Sequence, residues 1–298
     1  MSMTPKFVSI IIPTYKDWAR LSLCLQSLAN QTYDANFFEI IVVNNYTSDR
    51  IPDDYFIPKN CKIIVEGQPG SYVARNAGIK ASVGEILGFT DSDCIPDEDW
   101  ISNAVQAFES DGNFTRIAGK IRLYYKSDRL TNAELYETVY AFNQDIYVEQ
   151  DGTGVTANMF SFRKVFDDVG MFREDLLSGG DYEWAVRARN ANYNIQYSDK
   201  VIVSHPARHH LSELVKKAKR IGGGQANFSK VSEGFFQSAL KLLYDLRPPI
   251  RSIPLIILKG KKMHLAQKLL VFYIRYYLSV VTAREKFMVS LGKSARRE

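Results

Sequence analysis

The sequence lacks the features that mark a disulfide-stapled, secreted or membrane-spanning protein. It has only three cysteines in 298 residues, an odd number without Cys-x-x-Cys spacing, so neither a disulfide framework nor a zinc site is indicated. The apolar stretch at residues 269–283 contains Arg275 and is 15 residues long, shorter than the roughly 20 that cross a bilayer. The N-terminal run, residues 7–12, has the length of a strand and not of a secretory leader. We expect a reduced, cytoplasmic compartment.

The charge is distributed very unevenly along the chain. The net charge is +5, but residues 204–298 hold 19 Lys/Arg and 5 Asp/Glu, whereas the remainder holds 19 basic and 28 acidic residues. A basic segment of this kind usually engages anionic lipid, nucleic acid or another polyanion. At 46% hydrophobic and 24% charged residues, the whole chain can bury a sizeable core, either as two domains or as one large α/β domain with an appendage.

The first hundred residues alternate between strand-like and helix-like patterns. Four apolar runs have the length of buried strands: residues 7–12, 39–43, 62–65 and 86–90. Helical spacing occupies residues 21–28 and 72–83 between them. This alternation predicts a parallel sheet covered by helices on both faces, in which ligands bind beyond the carboxyl ends of the strands.

An acidic triplet, Asp91-Ser92-Asp93, follows the fourth of these strands directly. In an extended chain the side chains of Asp91 and Asp93 point to the same side and can converge on one ligand. Mg²⁺ and Mn²⁺ prefer oxygen ligands, so the triplet is typical of a site for a metal and a diphosphate. The alternative is that Asp93 and the following Pro96 and Asp97 only open the next helix, which the sequence predicts to begin near Trp100.

Similar polar clusters follow the other strands, and together they form an ordered set. The set comprises Val8 to Tyr15 (VSIIIPTY), Ile41 to Asn45 (IVVNN), Ala74 to Gly78 (ARNAG), Phe89 to Asp93 (FTDSD), Gly179 to Glu183 (GGDYE) and Val203-Ser204-His205. Over about residues 6–225 the chain resembles family 2 glycosyltransferases, which have the GT-A fold. The resemblance implies a Rossmann-like, mostly parallel sheet flanked by helices, in a catalytic domain (1–230) with a nucleotide-binding part (1–110) and an acceptor part (111–230). A basic, helical C-terminal region (231–298) follows as an appendage.

The resemblance implies transfer of a sugar from a nucleotide diphosphate donor, a UDP-sugar, to a glycan or lipid-linked acceptor, with inversion, in polysaccharide or glycoconjugate synthesis. The implied donor-nucleotide residues are Pro13, Thr14, Tyr15, Asn44, Asn45, Arg75, Asp91 and Ser92. Asn44 stands where the family has an acid, and an amide both donates and accepts hydrogen bonds, which weakens the case for uridine. The alternative for Asn44 and Asn45 is a plain turn, and for Arg75 a solvated helix arginine.

Roles in catalysis and metal binding are implied in the same way. Asp93 and His205 would hold Mn²⁺ or Mg²⁺, and Asp181 would be the catalytic base. Asp181 could instead be a helix N-cap, and the family often has an acid where this chain has Gly180, which brings Glu183 into consideration. Asn158 and Glu183 would line the sugar or acceptor pocket. For Asn158 the alternative is a loop amide, and for His205 a hydrogen-bonded histidine at a strand end.

The basic tail has two interpretations. Lys261, Lys268, Arg275 and Lys286 fall on one helical stripe, the pattern of a helix lying on an anionic membrane, with residues 253–258 as a second insert. The protein would then be peripheral at the inner face of the cell membrane. The alternative is a helical pair that packs on the catalytic domain or on a second subunit, as in a homodimer.

Two other functions remain open at the level of sequence. A nucleotidyltransferase also binds Mg²⁺ with paired carboxylates, but its Gly-rich, Lys/Arg-bearing phosphate loop is not found after the first strand, where the chain has Pro13-Thr14-Tyr15-Lys16. The second is a non-catalytic membrane- or polyanion-binding scaffold. Nucleic acid is the least favoured partner, because the basic residues show no recognition motif.

Overall fold

The computed structural model describes residues 5–110, 113–226 and 235–294. Within these ranges the chain forms two compact units. The first unit draws on residues 1–122, 142–174 and 180–206, and the second on residues 123–141, 175–179 and 207–298. The domain boundary predicted after residue 230 lies outside the described residues. The boundary predicted after residue 110 falls at the edge of them, because residue 111 is not described. Both boundaries therefore stay predictions.

A mixed sheet of eight strands runs through the described part of the chain. The strands are β1 (Val8–Thr14), β2 (Phe38–Asn44), β3 (Cys61–Val65), β4 (Ile86–Thr90), β5 (Ile95–Pro96), β6 (Arg116–Tyr124), β7 (Asn158–Phe162) and β8 (Ile195–Pro206). They lie in the order β3-β2-β1-β4-β7-β6-β8-β5. β1 pairs in parallel with β2 and β4, and β2 with β3, whereas β7 is antiparallel to both β4 and β6. The predicted helix-flanked α/β sheet is confirmed, and its parallel strands β1 to β4 are those that the apolar runs indicated.

Helices connect the strands and build much of the rest of the structure. They are α1 (Trp18–Ala29), α2 (Ser71–Ala81), α3 (Trp100–Ser110), α4 (Asn132–Tyr140), α5 (Gln144–Asp151), α6 (Arg163–Val169), α7 (Gly180–Asn190), α8 (Leu211–Ala226), α9 (Phe235–Asp245), α10 (Ile253–Lys259) and α11 (Leu265–Ser290). In α1, Leu21, Leu25 and Leu28 are fully buried against the sheet. These leucines therefore form the packed face of α1 that their helical spacing in the sequence indicated.

α2 brings the candidate Arg75 close to the sheet. It ends at Ala81, two residues earlier than predicted, because Ser82 turns to an extended conformation. A Cβ on Gly78 would lie 2.5 Å from the Cγ2 of Ile11 and 3.2 Å from that of Val43. The absence of a side chain at residue 78 therefore lets α2 lie directly on β1 and β2.

The second unit is built around α11, which packs against α4, α8, α9 and α10. Val271, Ile274 and Leu278 of α11 are buried in its apolar core. The predicted orientation of this helix is wrong: the guanidinium of Arg275 lies 5.2 Å from the ring centre of Tyr140, and Lys286 forms an ion pair with Asp245. Two members of the predicted basic stripe therefore pack within the unit. Among the described helices, none is long and apolar enough to span a membrane.

The contact between α8 and α11 gives a prediction for stability. A Cβ on Gly222 would lie 2.5 Å from the carbonyl oxygen of Thr282 and 3.2 Å from the Cβ of Glu285. We expect Gly222→Ala to lower the free energy of unfolding by about 1–3 kcal/mol, the usual cost of overpacking, measured by denaturant titration followed by circular dichroism. In an exposed helix the same change would stabilise by about 1 kcal/mol, so an increase in stability would contradict this packing.

Candidate active site

The acidic triplet lies in a turn directly beyond β4. The backbone N–H of Cys94 donates to the carbonyl oxygen of Asp91 at 3.1 Å, which closes the turn. The triplet is therefore not an extended strand, the geometry on which the expected convergence of Asp91 and Asp93 was based. Their carboxylates have different partners, Arg75 for Asp91 and both His205 and Arg20 for Asp93.

Asp93 and His205 meet although 111 residues separate them in the chain. The Nε2 atom of His205, near the end of β8, lies 3.6 Å from Oδ1 of Asp93. Nδ1 lies 2.7 Å from the carbonyl oxygen of Pro206, and because that oxygen can only accept, Nδ1 must carry the hydrogen. In the neutral ring the lone pair is then on Nε2, the atom on the side of Asp93. A hydrogen bond of this kind orients histidines that ligate metals.

These groups fit a divalent cation. One ligand atom each from Asp93, Cys94 and His205 lie within 4.8 Å of one another. Burial raises the pKa of the Asp93 carboxyl, against the opposing effect of His205, so a bound cation would stabilise its charged form. Burial also raises the pKa of the Cys94 thiol well above its usual range, and this thiol donates to the carbonyl oxygen of Ala157. The carboxylate and imidazole are therefore the better ligand pair, a donor set that suits Mn²⁺.

Arg20 and Asp17, near the start of α1, adjoin the same carboxylate and were missed in the sequence. Nη1 of Arg20 lies 3.3 Å from Oδ2 of Asp93, and its Nε donates to Asp17 at 2.9 Å. The hydroxyl of Ser92, a predicted donor-nucleotide residue, donates to Asp17 at 3.4 Å. Arg20 thus places a positive charge beside the carboxylate of Asp93.

Arg75 is buried, so the alternative of a solvated helix arginine is wrong. Only 5% of its surface is exposed, and Nη2 lies 2.5 Å from Oδ1 of Asp91. Nη1 donates to the carbonyl oxygen of Ser71, while Nε has no hydrogen-bond partner in the described part of the chain. The guanidinium also lies 5.7 Å from the ring centre of Tyr72. Arg75 therefore fixes the orientation of Asp91.

Tyr72, also missed in the sequence, connects this region to the candidate base. Its hydroxyl donates to Oδ1 of Asp181 at 3.1 Å. Burial and the charge of Asp181 raise the pKa of Tyr72, so the phenol stays protonated and remains a donor. A Cβ on Gly180 would lie 2.7 Å from the Tyr72 ring, which explains why this chain has a glycine where the family often has an acid.

Asp181 lies within the first turn of α7, which begins at Gly180. The alternative of an N-cap immediately before the helix is therefore wrong. Besides Tyr72, the Oδ1 atom accepts the backbone N–H of Tyr182 at 3.0 Å. Both of these contacts use the same oxygen of the carboxylate, and Asp181 is half-buried.

The predicted nucleoside residues divide into two groups. Asn44 accepts the N–H of Tyr46 and donates to the carbonyl oxygen of Asp49. Asn45 donates to the carbonyl oxygens of Glu66 and Gln68 and accepts the N–H of Gly70. These amides hold the loops after β2 and before α2, as the turn alternative predicted.

At the end of β1, in contrast, Tyr15 presents an exposed ring that a ligand could contact. Thr14 is 3% exposed, and its Oγ1 has no hydrogen-bond partner among residues that the structure describes. After Pro13 and Thr14, Tyr15 is 45% exposed, and its ring lies 5.4 Å from that of Tyr46. Lys16, at a left-handed φ of 54°, places its Nζ 4.1 Å from the Tyr46 ring centre. Exposed aromatic rings of this kind can stack on a nucleobase.

Asn158 and Glu183 have structural partners. Asn158, at the start of β7, is fully buried; it accepts the indole N–H of Trp100 and donates to the carbonyl oxygens of Lys120 and Val201. Glu183 accepts two hydrogen bonds from Arg187. Asn158 therefore belongs to the sheet core and not to a loop, and Glu183 is held along α7 instead of facing a ligand.

Comparison with known proteins identifies the family. The model of "Glycosyl transferase family 2" matches residues 9–170. Glycosyltransferase AglE of Haloferax volcanii is 36% identical over 230 residues, covering 76% of this chain and 75% of the relative. A Methanococcus voltae dolichyl N-acetyl-alpha-D-glucosaminyl phosphate 3-beta-D-2,3-diacetamido-2,3-dideoxy-beta-D-glucuronosyltransferase is 20% identical over 244 residues, with coverages of 77% and 75%.

A solved structure agrees with the fold. The mannosyltransferase PcManGT from Pyrobaculum calidifontis, in complex with GDP-Man and Mn²⁺, matches 99% of this chain and 77% of its own with a TM-score of 0.56. At 15% identity this likeness supports the GT-A fold alone. The matched family model and the similarity to AglE confirm what the strand-end motifs predicted: the chain belongs to glycosyl transferase family 2 and is a glycosyltransferase by class.

Proposed function

We propose that the protein transfers a sugar from a nucleotide diphosphate donor, a UDP-sugar, to a lipid-linked or glycan acceptor in glycoconjugate or polysaccharide synthesis. The reaction is inverting and depends on a divalent cation, Mn²⁺ or Mg²⁺. The observation that carries the proposal is the connected series of side chains from Asp91 through Arg75 and Tyr72 to Asp181, beside the Asp93 and His205 pair. The name of the Methanococcus relative supports an acceptor on a dolichyl phosphate carrier.

The residues beyond β1 and β4 would bind the donor. The exposed ring of Tyr15 offers a stacking surface to the base. Asp91, oriented by Arg75, accepts hydrogen bonds from the ribose hydroxyls. The amides of Asn44 and Asn45 serve this site by shaping the loops around it.

Asp93 and His205 would hold the cation, which when bound stabilises the charge of the leaving diphosphate as a Lewis acid. Arg20 already neutralises part of the charge on Asp93, because its Nη1 atom lies 3.3 Å from that carboxylate. It is therefore placed to pair with a phosphate oxygen once Asp93 has a stronger partner.

Asp181 would take the proton of the acceptor hydroxyl as that oxygen attacks the sugar carbon. Tyr72 and the N–H of Tyr182 both donate to Oδ1, so we assign proton acceptance to Oδ2. Attack from the face opposite the leaving diphosphate inverts the configuration at that carbon. The hydrogen bond from Tyr72 fixes the carboxylate in one orientation, which is a requirement for a positioned base.

Replacing Tyr72 by Phe tests this positioning role. We expect kcat to fall at least about tenfold, because a hydrogen bond to a charged group contributes about 1.5–3 kcal/mol, while the KM for the donor stays unchanged. Tyr33→Phe removes another phenol hydrogen bond, that to the carbonyl oxygen of Lys6, and should leave kcat unaltered. Equal losses of kcat in the two variants would argue against a positioning role for Tyr72. So would a loss of kcat in Tyr72→Phe that is fully explained by a lower melting temperature.

A nucleotide screen tests the proposed donor. UDP, GDP, CDP and dTDP are added with and without Mn²⁺, and a ligand that binds the folded state raises the melting temperature. We expect UDP with Mn²⁺ to give the largest shift. Transfer is then measured with the matching nucleotide sugar on lipid phosphate-linked and on soluble glycan acceptors. Release of pyrophosphate instead of a nucleoside diphosphate would identify a nucleotidyltransferase and refute the proposal.

We further propose that the protein works at the inner face of the cell membrane. The support is chemical: the odd number and the spacing of its three cysteines indicate no disulfide framework, and its last 95 residues are strongly basic. A lipid-linked acceptor would also be presented at a membrane surface.

A further inference from the structure

The second unit exposes large apolar side chains on two consecutive helices. On α11, Leu265, Leu269, Tyr273 and Tyr277 recur every fourth residue, and the middle two are 61% and 66% exposed. Ile257 and Leu258 at the end of α10 are 59% and 55% exposed. We call these six residues the α10–α11 patch. Single exposed apolar residues are ordinary, but a repeated row along one helix marks an interaction surface.

The opposite side of α11 is already used. Val271, Ile274 and Leu278 pack in the core of the unit, so the patch is the side of the helix that this unit does not bury. The exposed side is also not the basic stripe that the sequence suggested, since Arg275 and Lys286 have partners within the unit. The apolar row, and not the basic stripe, therefore defines the surface.

Basic residues accompany the patch without acidic ones. Residues 246–283 contain seven Lys/Arg and no Asp/Glu. Lys261 and Lys262 are exposed in the short connection between α10 and α11, directly between the two apolar parts of the patch. An apolar surface bordered by positive charge is complementary to an anionic bilayer, in which apolar side chains enter the boundary below the head groups and lysines contact the phosphates.

A second copy of this chain is a poorer occupant. Docking two copies through this surface would bring two strongly basic segments together, and like charges at close range oppose association. Insertion across the bilayer is also a poor fit, since no described helix is long and apolar enough to span it. Tyrosine, which supplies two of the patch residues, is enriched where protein meets the head-group region.

We infer that the α10–α11 patch docks the protein on the surface of an anionic lipid bilayer, with α10 and the first half of α11 lying along it. The inference builds on the proposed lipid-linked acceptor, because it gives the second unit the task of keeping the protein where that acceptor is. Docking on a bilayer does not require the transfer reaction, so an experiment can refute the docking or the proposed function independently of the other.

Binding of the full chain to vesicles tests the inference. Phosphatidylcholine vesicles with and without phosphatidylglycerol are floated with wild-type protein and with two double variants, Leu258→Ser with Leu269→Ser and Lys261→Gln with Lys262→Gln. Val65→Ser with Val83→Ser and Lys59→Gln with Lys80→Gln are matched controls at exposed positions of the first unit. Thermal shift by nucleotide and Mn²⁺ is recorded for every variant.

We expect wild type to bind the anionic vesicles only, less strongly at high salt. Each patch variant should bind at least about tenfold more weakly, because apolar burial and lysine charge both contribute to interfacial affinity, and the controls should match wild type. The nucleotide shift should persist in all variants, so that lost vesicle binding is distinguished from a failed donor site. In addition, Leu258→Trp fluorescence should be quenched by brominated lipid, and Val83→Trp fluorescence should not.

Three results would overturn the inference. The first is that wild type binds vesicles without phosphatidylglycerol as strongly as vesicles that contain it. The second is unchanged binding of both patch variants. The third is a concentration-dependent dimer that the Leu258→Ser and Leu269→Ser variant abolishes, together with no vesicle binding, which would assign the patch to a second copy.

Discussion

Replacing Asp93 by Asn is expected to lower sugar transfer at saturating Mn²⁺ by at least about a hundredfold, the upper range found for residues that only support a metal ligand. The variant should also lose the Mn²⁺-dependent rise in melting temperature. The physical reason is that an amide has no charge to balance a divalent cation. Because burial already disfavours the charged carboxyl at this position, the amide should fold without loss of stability in the absence of metal.

Asp97→Asn is the matched control for Asp93→Asn. Asp97 lies four residues further along, in the segment before α3, and its carboxylate lies 3.5 Å from the guanidinium of Arg122. It should retain both transfer and the response to Mn²⁺. Full transfer by the Asp93 variant in the presence of a chelator would remove this residue from metal binding. Isothermal titration with Mn²⁺ and without donor separates weakened metal binding from a defect in chemistry.

The parallel half of the sheet could be predicted from the sequence, whereas β6 and β7 of the antiparallel half could not. β1, β2 and β4 are buried on both faces and therefore form continuous apolar runs. β6 and β7 begin instead with buried polar residues, Arg116 and Asn158. The guanidinium of Arg116 donates to the carbonyl oxygens of Ala185 and Tyr193. Interior polar residues with main-chain partners interrupt the apolar pattern on which strand prediction depends.

The candidate active site shows a similar division. Residues that form a local motif could be predicted from the sequence, whereas contacts between residues far apart in the chain could not. The acidic triplet was visible as a motif, but its pairing with His205 followed only from family resemblance, since no spacing rule relates residues so far apart. Tyr72 could not be found, because an aromatic residue in the first turn of a helix is indistinguishable from a core residue. The signal that existed was Gly180, the departure from the family pattern, whose missing side chain leaves room for the Tyr72 ring.

The Asp181→Asn variant is expected to bind donor and Mn²⁺ as wild type does and to transfer sugar about a hundred to ten thousand times more slowly, the range that general base catalysis contributes. Asparagine keeps the oxygen that accepts from Tyr72 and Tyr182, so the local structure should persist. What is lost is the ability to take a proton from the acceptor hydroxyl. Donor binding is measured by nucleotide-induced thermal shift, and transfer by single-turnover kinetics.

Glu183→Gln is the informative comparison, because Glu183 is two residues away on the same helix and was the alternative base. Its carboxylate accepts two hydrogen bonds from Arg187, which also donates to the carbonyl oxygens of Val169 and Met171. Weakening this ion pair should lower the melting temperature and leave kcat nearly unchanged. A larger loss of kcat in Glu183→Gln than in Asp181→Asn would transfer the role of base to Glu183. Loss of donor binding in Asp181→Asn would make Asp181 a structural residue, since a base that acts only on the acceptor has no part in holding the nucleotide.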